Sequence, residues 1–492
     1  MRKIAIVFIW ALMAACSKKS TSDNQALKVT EKYRPEYHFT PKSGWMNDPN
    51  GLTFFEGEYH LFYQHYPDST VWGPMHWGHA VSKDLNHWEE LPIALYPDSL
   101  GYIFSGSAVI DYNNTSGFGT KDMPAMVAIF TYHNMKGEKA NKIDFQTQGI
   151  AYSLDKGRTW TKYEGNPVLK NPGIKDFRDP KVSWYAAENK WVMVLAVKSQ
   201  ANIYSSKDLK NWTLESEFGK TIGSHEGVWE CPDLFPLKDQ NGLEKWVMLV
   251  SINPNGPQGG SATQYFVGDF DGKTFTPADT TTRWMDYGAD NYAGVTFSNV
   301  PGKDGRRILI GWMSNWQYAN VVPTEKWRSA TTIPRELSIE KTPGHGFRLN
   351  STPIKETIDC FDKGKTQTEN SFESEKGNYL LELSGIGDAA GTLEISNEKG
   401  ERFSVKFDKS QLITDRTMAG VSSFSKEFAA IHKAPLHGII VNKIQVFVDA
   451  SSVEIFINDG ELVMTELIFP NEPLTKIKFM GNTQDKKIYY LK

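Results

Sequence analysis

The sequence predicts an all-β protein: a five-bladed β-propeller followed by a C-terminal β-sandwich. Three observations predict it. A Ser-x-Asp turn followed by an aromatic residue recurs through residues 33–342. Each copy is preceded by the same pair of short apolar, β-branched or aromatic runs, which read as strands. After that region the chain changes to alternating strands without the turn, as in an antiparallel sandwich.

Taken in chain order, the first element is a targeting segment. Arg2 and Lys3 precede an apolar run at 4–15, too short to span a bilayer and suited to a signal peptide. The run LMAAC resembles a bacterial lipoprotein cleavage site, so residues 1–16 are expected to be a lipoprotein signal peptide with Cys16 lipidated. Residues 17–32 are polar and rich in Ser and Lys, as expected of a flexible tether. The residues after Cys16, SKKSTS, are basic rather than acidic. They suggest the periplasmic face of a gram-negative cell envelope, with membrane contact only through the N-terminal lipid anchor.

The propeller follows. SKDLNHW at 82–88 and SKDLKNW at 206–212 are close copies; SLDKGRTW at 153–160 carries one insertion, and FDGKTF at 270–275 is weaker. The strand pairs are GLTFF with YHLFYQHY, SAVI with AMVAIFTYH, KVSWY with KWVMVLAVK, DLFPL with KWVMLVSI, and VTF with RILIGWM. Five pairs with a returning hairpin make five four-stranded blades; the fifth hairpin, near 335–349, is the least distinct. A single repeated order argues against several sandwiches in tandem. Residues 343–356 turn polar, with Pro343, Gly344 and Pro353, and are expected to be a linker. Residues 357–492 form the sandwich, whose polar residues do not cluster in sequence; it is expected to serve packing or carbohydrate contact.

Whole-chain properties narrow the function. At 492 residues the chain can bury large cores, and its net charge of −4, without a basic run, argues against nucleic acid as a partner. Aromatic residues make up 13%, with 15 Trp and 40 Gly, which suits turn-rich β structure and stacking against sugar rings. Apart from Cys16, only Cys231 and Cys360 remain, too few for a disulfide framework.

The chemistry is expected where blades begin. A propeller's first strands line its axis, so side chains at their starts converge from distant parts of the sequence. Blade one starts with WMNDPNG, bringing Asp48; blade two with FSGS; blade three with FRDP, bringing Arg178 and Asp179; blade four with WECPDLF, bringing Glu230; blade five with DNYAG, bringing Asp290 and Tyr292. Singly these signals are weak, because Asp before Pro is most often a turn former. Together they present three carboxylates. Paired carboxylates break acetals: one stays ionised and attacks, the other holds a proton for the leaving oxygen. Converging negative charges raise the proton affinity of at least one, while Arg178 is expected to keep Asp179 ionised.

At these residues the sequence resembles glycoside hydrolase family 32, the invertase, inulinase and levanase group. WMNDPNG, FRDP and WECPD in that order carry the resemblance, and VDASSVEIFINDGE at 448–461 resembles part of that family's sandwich. The resemblance implies a retaining hydrolase of β-fructofuranosyl linkages. In it Asp48 would be the nucleophile, Glu230 the acid/base and Asp179 a transition-state stabiliser binding fructose hydroxyls. Asn47, Gln64, Trp72, Phe104, Ser105, Arg178, Tyr292 and Trp312 would shape the fructose pocket, and Cys231 would tune the acid/base. No cofactor and no metal are implied. The expected partner is a fructan or fructo-oligosaccharide, levan or inulin, with sucrose also cleaved. The alternatives are an endo-levanase or endo-inulinase, an invertase, a fructosyltransferase, or a fructan-binding propeller without activity. Exo-action is favoured by the stretch 311–337, where Trp312, Trp316, Tyr318 and Trp327 could wall the pocket mouth, although packing of blade five is the expected role of Trp327.

Overall fold

The computed structural model describes residues 31–302, 304–387 and 389–492. The signal peptide, Cys16 and all but the last two residues of the tether lie outside the described residues. Tyr33–Lys492 forms one compact unit.

The repeat predicted from sequence folds as five antiparallel sheets. Their innermost strands are Gly44–Phe55, Tyr102–Asp111, Phe177–Tyr185, Val228–Lys238 and Tyr292–Thr296. Each innermost strand contacts the next, and the fifth contacts the first, so the ring closes. A sheet alone leaves two apolar faces bare, and the ring buries both. Five apolar clusters fill the five gaps between neighbouring blades. Phe62, Trp77 and Met126 lie between blades one and two, and Val127, Val182 and Met193 between two and three. Ile203, Trp229 and Met248 lie between three and four, Leu249, Leu309 and Leu337 between four and five, and Trp45, Leu61 and Ile310 between five and one. Closure also uses the backbone: Trp327–Arg328 pairs in parallel with Gly44 and Trp45 of blade one, and Phe54 N donates to Ser298 O.

The recurring turn has a local cause. Ser82 Oγ accepts from the N–H of Leu85 at 2.8 Å, Asp84 Oδ1 caps the N–H groups of Asn86 and His87, and the Trp88 indole donates to Leu85 O. Ser206, Asp208, Leu209 and Trp212 repeat the set. Ser153, Asp155, Gly157 and Trp160 do the same around the inserted residue. These short polar side chains satisfy the turn's amides, and the Trp pins it to the sheet.

Residues 343–356, expected to be a linker, are not one. Gly346–Pro353 is the outer strand of blade five and pairs along its whole length with Arg335–Thr342. Pro343 and Gly344 mark the hairpin turn, with Gly344 at φ +75°, a region glycine reaches without strain. The turn residues do break the strand, but a single returning strand of the same blade follows the break rather than a change of domain.

The remaining chain forms two six-stranded antiparallel sheets. Their facing sides bury Leu381, Ile395, Val405, Val446, Ile455 and Ile477. The expectation that the sandwich lacks clustered polar residues is also corrected. Arg335 of blade five reaches Asp286, Glu454 and Thr465; His38 bridges Asp449 and Glu454; and Arg416 binds Asp290 and the Tyr318 hydroxyl. All are buried, and they join the sandwich to the propeller. The contacts that cross between the two modules link residues more than 90 positions apart, so no local pattern announces them.

Candidate active site

Each innermost strand is irregular at the same level. Pairing shifts between Met46 and Pro49, Ile103 and Gly106, Glu230 and Asp233, and Tyr292 and Val295. In blade three the shift lies opposite Arg178 to Lys181. Asp179, Cys231 and Ala293 there have positive φ of 65°, 44° and 53°. A bulge adds one residue and re-aims its side chain. Five bulges around one axis turn Asp48, Ser105, Asp179 and Glu230 into the same space. Non-glycine residues held at positive φ store strain of the kind found where function requires it.

The result is a cavity of about 240 Å³ whose lining includes Asn47, Asp48, Gln64, Trp72, Phe104, Ser105, Arg178, Asp179 and Glu230. Ser105 Oγ donates to Asp48 Oδ2 at 2.7 Å and Asn47 Nδ2 to Oδ1 at 3.0 Å; Asn47 is itself fixed by the Trp45 indole N–H at 2.7 Å. Glu230 is held differently. Arg178 Nη2 donates to its Oε1 at 3.0 Å, and the Tyr292 hydroxyl donates to Oε2. Between the acids, the Cys231 N–H donates to Asp179 Oδ2 at 3.0 Å, and its thiol lies 3.5 Å from Asp48 Oδ2 and 3.7 Å from Asp179 Oδ2.

The electrostatics follow from these neighbours. Burial, then the charge of Glu230, push Asp48 above the ordinary 3.8; the bonds from Ser105, Asn47 and Cys231 hold it back. Burial raises Asp179 to about 7, and Glu230 and Asp48 add to the rise against the opposing pull of Arg178 and the Cys231 N–H. Arg178 favours the ionised form of Asp179, while burial and the neighbouring carboxylates oppose it. The guanidinium turns away, donating to Asp176 at 2.7 Å and to Glu230, and approaches Asp179 only to 4.0 Å. Burial likewise raises the Cys231 thiol, which therefore acts as a neutral donor.

The walls are aromatic. Phe104 meets Trp72 edge-on at 6.0 Å and stacks on His133 at 4.1 Å. Gln64 is oriented by donating to Asn50 Oδ1 at 2.7 Å. Two expected residues are absent from the lining. Tyr292 touches Glu230 from behind through its hydroxyl alone. Trp312 is fully buried, with Trp45 at 6.2 Å and Trp316 at 4.9 Å, so its role is to back the wall. Trp316, stacked on Trp45 at 5.8 Å, takes the position expected of Trp312. Tyr318, also offered for the mouth, is buried against the sandwich, and Trp327, read as packing blade five, is buried in the same cluster. The pairing register explains this: Trp312 lies within a central strand of blade five, whereas Trp316 lies beyond its end.

Sequence reasoning missed His133, Glu138, Gln146 and Asp176, which complete the lining. Asp176 stands two residues before Arg178, within reach of the blade-start argument. His133 ends the second strand of blade two and Gln146 begins the third, and antiparallel return brings both to the same face. His133 shares a hydrogen bond of 3.0 Å with Glu138, on the short helix Met135–Lys139. Among the described residues no three His, Cys, Asp or Glu are placed to hold a metal ion.

Comparison with known proteins agrees with this geometry. Residues 38–353 match the model for the glycosyl hydrolases family 32 N-terminal domain, and residues 350–491 match that for the family's C-terminal domain. A levanase of Bacillus subtilis (strain 168) is 47% identical over 95% of this chain and 71% of its own. An extracellular exo-inulinase of Aspergillus niger is 40% identical over 94% of this chain and 95% of its own. The crystal structure of exo-inulinase from Aspergillus awamori superimposes with a TM-score of 0.84 at 38% identity, covering 94% of this chain and 98% of that one. A carboxylate set gathered by five bulged blade starts, and family models spanning propeller and sandwich alike, lead to one assignment: the chain belongs to glycosyl hydrolase family 32.

Proposed function

We propose that the protein is a retaining, exo-acting β-fructosidase that releases fructose from the ends of fructans and also cleaves sucrose. One observation carries the reading: two carboxylates in one small pocket are held in opposite ways. Asp48 accepts hydrogen bonds from the neutral donors Ser105 and Asn47, as a nucleophile requires. Glu230 is gripped by Arg178 and Tyr292, which aim it at a leaving oxygen. Asp48 attacks the anomeric carbon, the bond to the leaving oxygen breaks, and Glu230 gives that oxygen its proton. Glu230 then takes a proton from water, which attacks the same carbon and frees Asp48. Asp179 binds ring hydroxyls, and donation from them favours its ionised form.

Exo-action is supported by size. A cavity of about 240 Å³, below the roughly 300–1,000 Å³ of sites for larger ligands, suits a single sugar ring. Thin-layer analysis of early levan and inulin digests tests this. Fructose as the sole early product is expected; an early ladder of oligosaccharides would mean endo-action.

The envelope location rests on the sequence of the leader alone: the charged start, the apolar run and the small residues before Cys16. Cys16→Ser should abolish incorporation of labelled fatty acid, and protease treatment of intact cells should spare the protein if it faces the periplasm.

A further inference from the structure

We propose that the groove between the outer flank of blades four and five and the sandwich is a second, non-catalytic binding site for the fructan chain. The inference takes its ligand class from the proposed function. The groove has a volume of about 870 Å³, against about 240 Å³ for the catalytic pocket, and the two share no lining residue. It is large enough for several sugar rings where the pocket holds one.

Its construction suits a neutral, hydroxyl-rich chain. Trp284 and Tyr287 line it, half-buried, and neither the Trp284 indole N–H nor the Tyr287 hydroxyl has a hydrogen-bond partner among the described residues. Such rings offer an apolar face to sugar C–H groups and a polar tip to hydroxyls. Beside them Asp279 and Arg283 form a two-pronged ion pair of 2.7 and 3.0 Å, a mixed donor and acceptor surface for further hydroxyls. The charged lining residues largely cancel, since Glu461 pairs with Arg348 at 2.8 Å; nothing there selects a polyanion. At the mouth the exposed rings of His345, from blade five, and His437, from the sandwich, approach to 6.5 Å.

The walls are tied together before any ligand arrives. Tyr287 N donates to Val463 O at 2.9 Å, Arg283 to His345 O at 2.7 Å, and Gln258 to both Tyr287 O and Lys433 O. A site already ordered spends little of its binding energy on ordering itself. Its use follows from the polymer. An exo-enzyme that lets go after each cut must find a chain end again. A second grip on the same molecule keeps ends near the pocket at high effective concentration.

Native gels cast with levan or inulin, run with full-length protein inactivated by Asp48→Asn, test the site. Adding Trp284→Ala and Tyr287→Ala together should weaken retardation by roughly three- to tenfold. Because both rings also pack against core residues, a His345→Ala, His437→Ala pair, altering exposed rings only, is run beside it and should weaken retardation in the same direction. Wild-type retardation of both pairs overturns the proposal. In active protein the same pairs should raise KM for long fructan and leave sucrose turnover unchanged. An equal loss on sucrose and polymer also overturns it. An enzyme active on fructan with unaltered groove variants sinks the groove alone, whereas one inactive on fructan and sucrose sinks the functional reading and the groove's ligand with it.

Discussion

At the scale of single residues, the site works by giving similar carboxyl groups different neighbours. Asp48→Asn and Glu230→Gln should each lower kcat by about a thousandfold or more, since each removes a reacting group, with the fold retained. Asp179→Asn should be nearly as damaging, because it loses a charged acceptor for ring hydroxyls. Ser105 allows a sharper test. Its hydroxyl lowers the proton affinity of Asp48 against burial and the charge of Glu230. Asp48 must be ionised to attack, so the acid limb of kcat/KM should lie above its ordinary 3.8. Ser105→Ala should move that limb to still higher pH and cost roughly tenfold to a hundredfold in kcat/KM, the worth of a hydrogen bond to a charged group. An unmoved acid limb would show that Asp48 is not the group that titrates. The proposed steps use only side-chain carboxyl groups and water, so exhaustive chelation should leave turnover unchanged without unfolding the protein.

At the scale of elements, the recurring turn and the clasp between modules differ in how legible they are in the sequence. The Ser-x-Asp turn lies within seven or eight residues, and its hydrogen bonds are local, so the hairpins that carry it can be read directly. The fifth, turning at Pro343 and Gly344, lacks that set, so it reads as the least distinct hairpin and overlaps the stretch read as a linker. The clasp built on His38 cannot be read, because its partners Asp449 and Glu454 lie more than 400 residues away. Burial works against the charged ring, yet those two carboxylates raise His38 from 6.5 to about 9. A raised value in the folded state means that the clasp contributes fully below about pH 6.5 and loses its contribution as pH rises through about 9. Thermal denaturation of the wild type should therefore shift to lower temperature between about pH 7 and pH 9.5. His38→Gln should be less stable by about 3 kcal/mol or more at pH 7, as expected for removing one partner of a buried charged set, and nearly insensitive to that pH change. Equal pH dependence in both proteins would assign the effect elsewhere.

At the scale of the whole molecule, the ring of five blades follows from the repeat. A repeat of four strands cannot cover its own faces, and closing on itself gives each blade two neighbours. The same logic places Asp48, Asp179 and Glu230 in one pocket from the sequence alone, because first strands must meet at the axis. It stops short where side-chain direction decides. Trp312 and Trp316 stand four residues apart, and only pairing register tells which faces the cavity and which faces the core. It stops again at Arg178, whose preference for Glu230 and Asp176 over its own neighbour Asp179 is set by backbone bulges that sequence does not display. The central claim, that Asp48 attacks and holds the sugar before water releases it, is tested most directly by digesting sucrose in the presence of methanol and reading the configuration of the methyl fructoside. Two displacements at one carbon restore the original configuration, so methyl β-fructofuranoside is the expected product. Methyl α-fructofuranoside as the primary product would mean a single displacement, and would contradict the account.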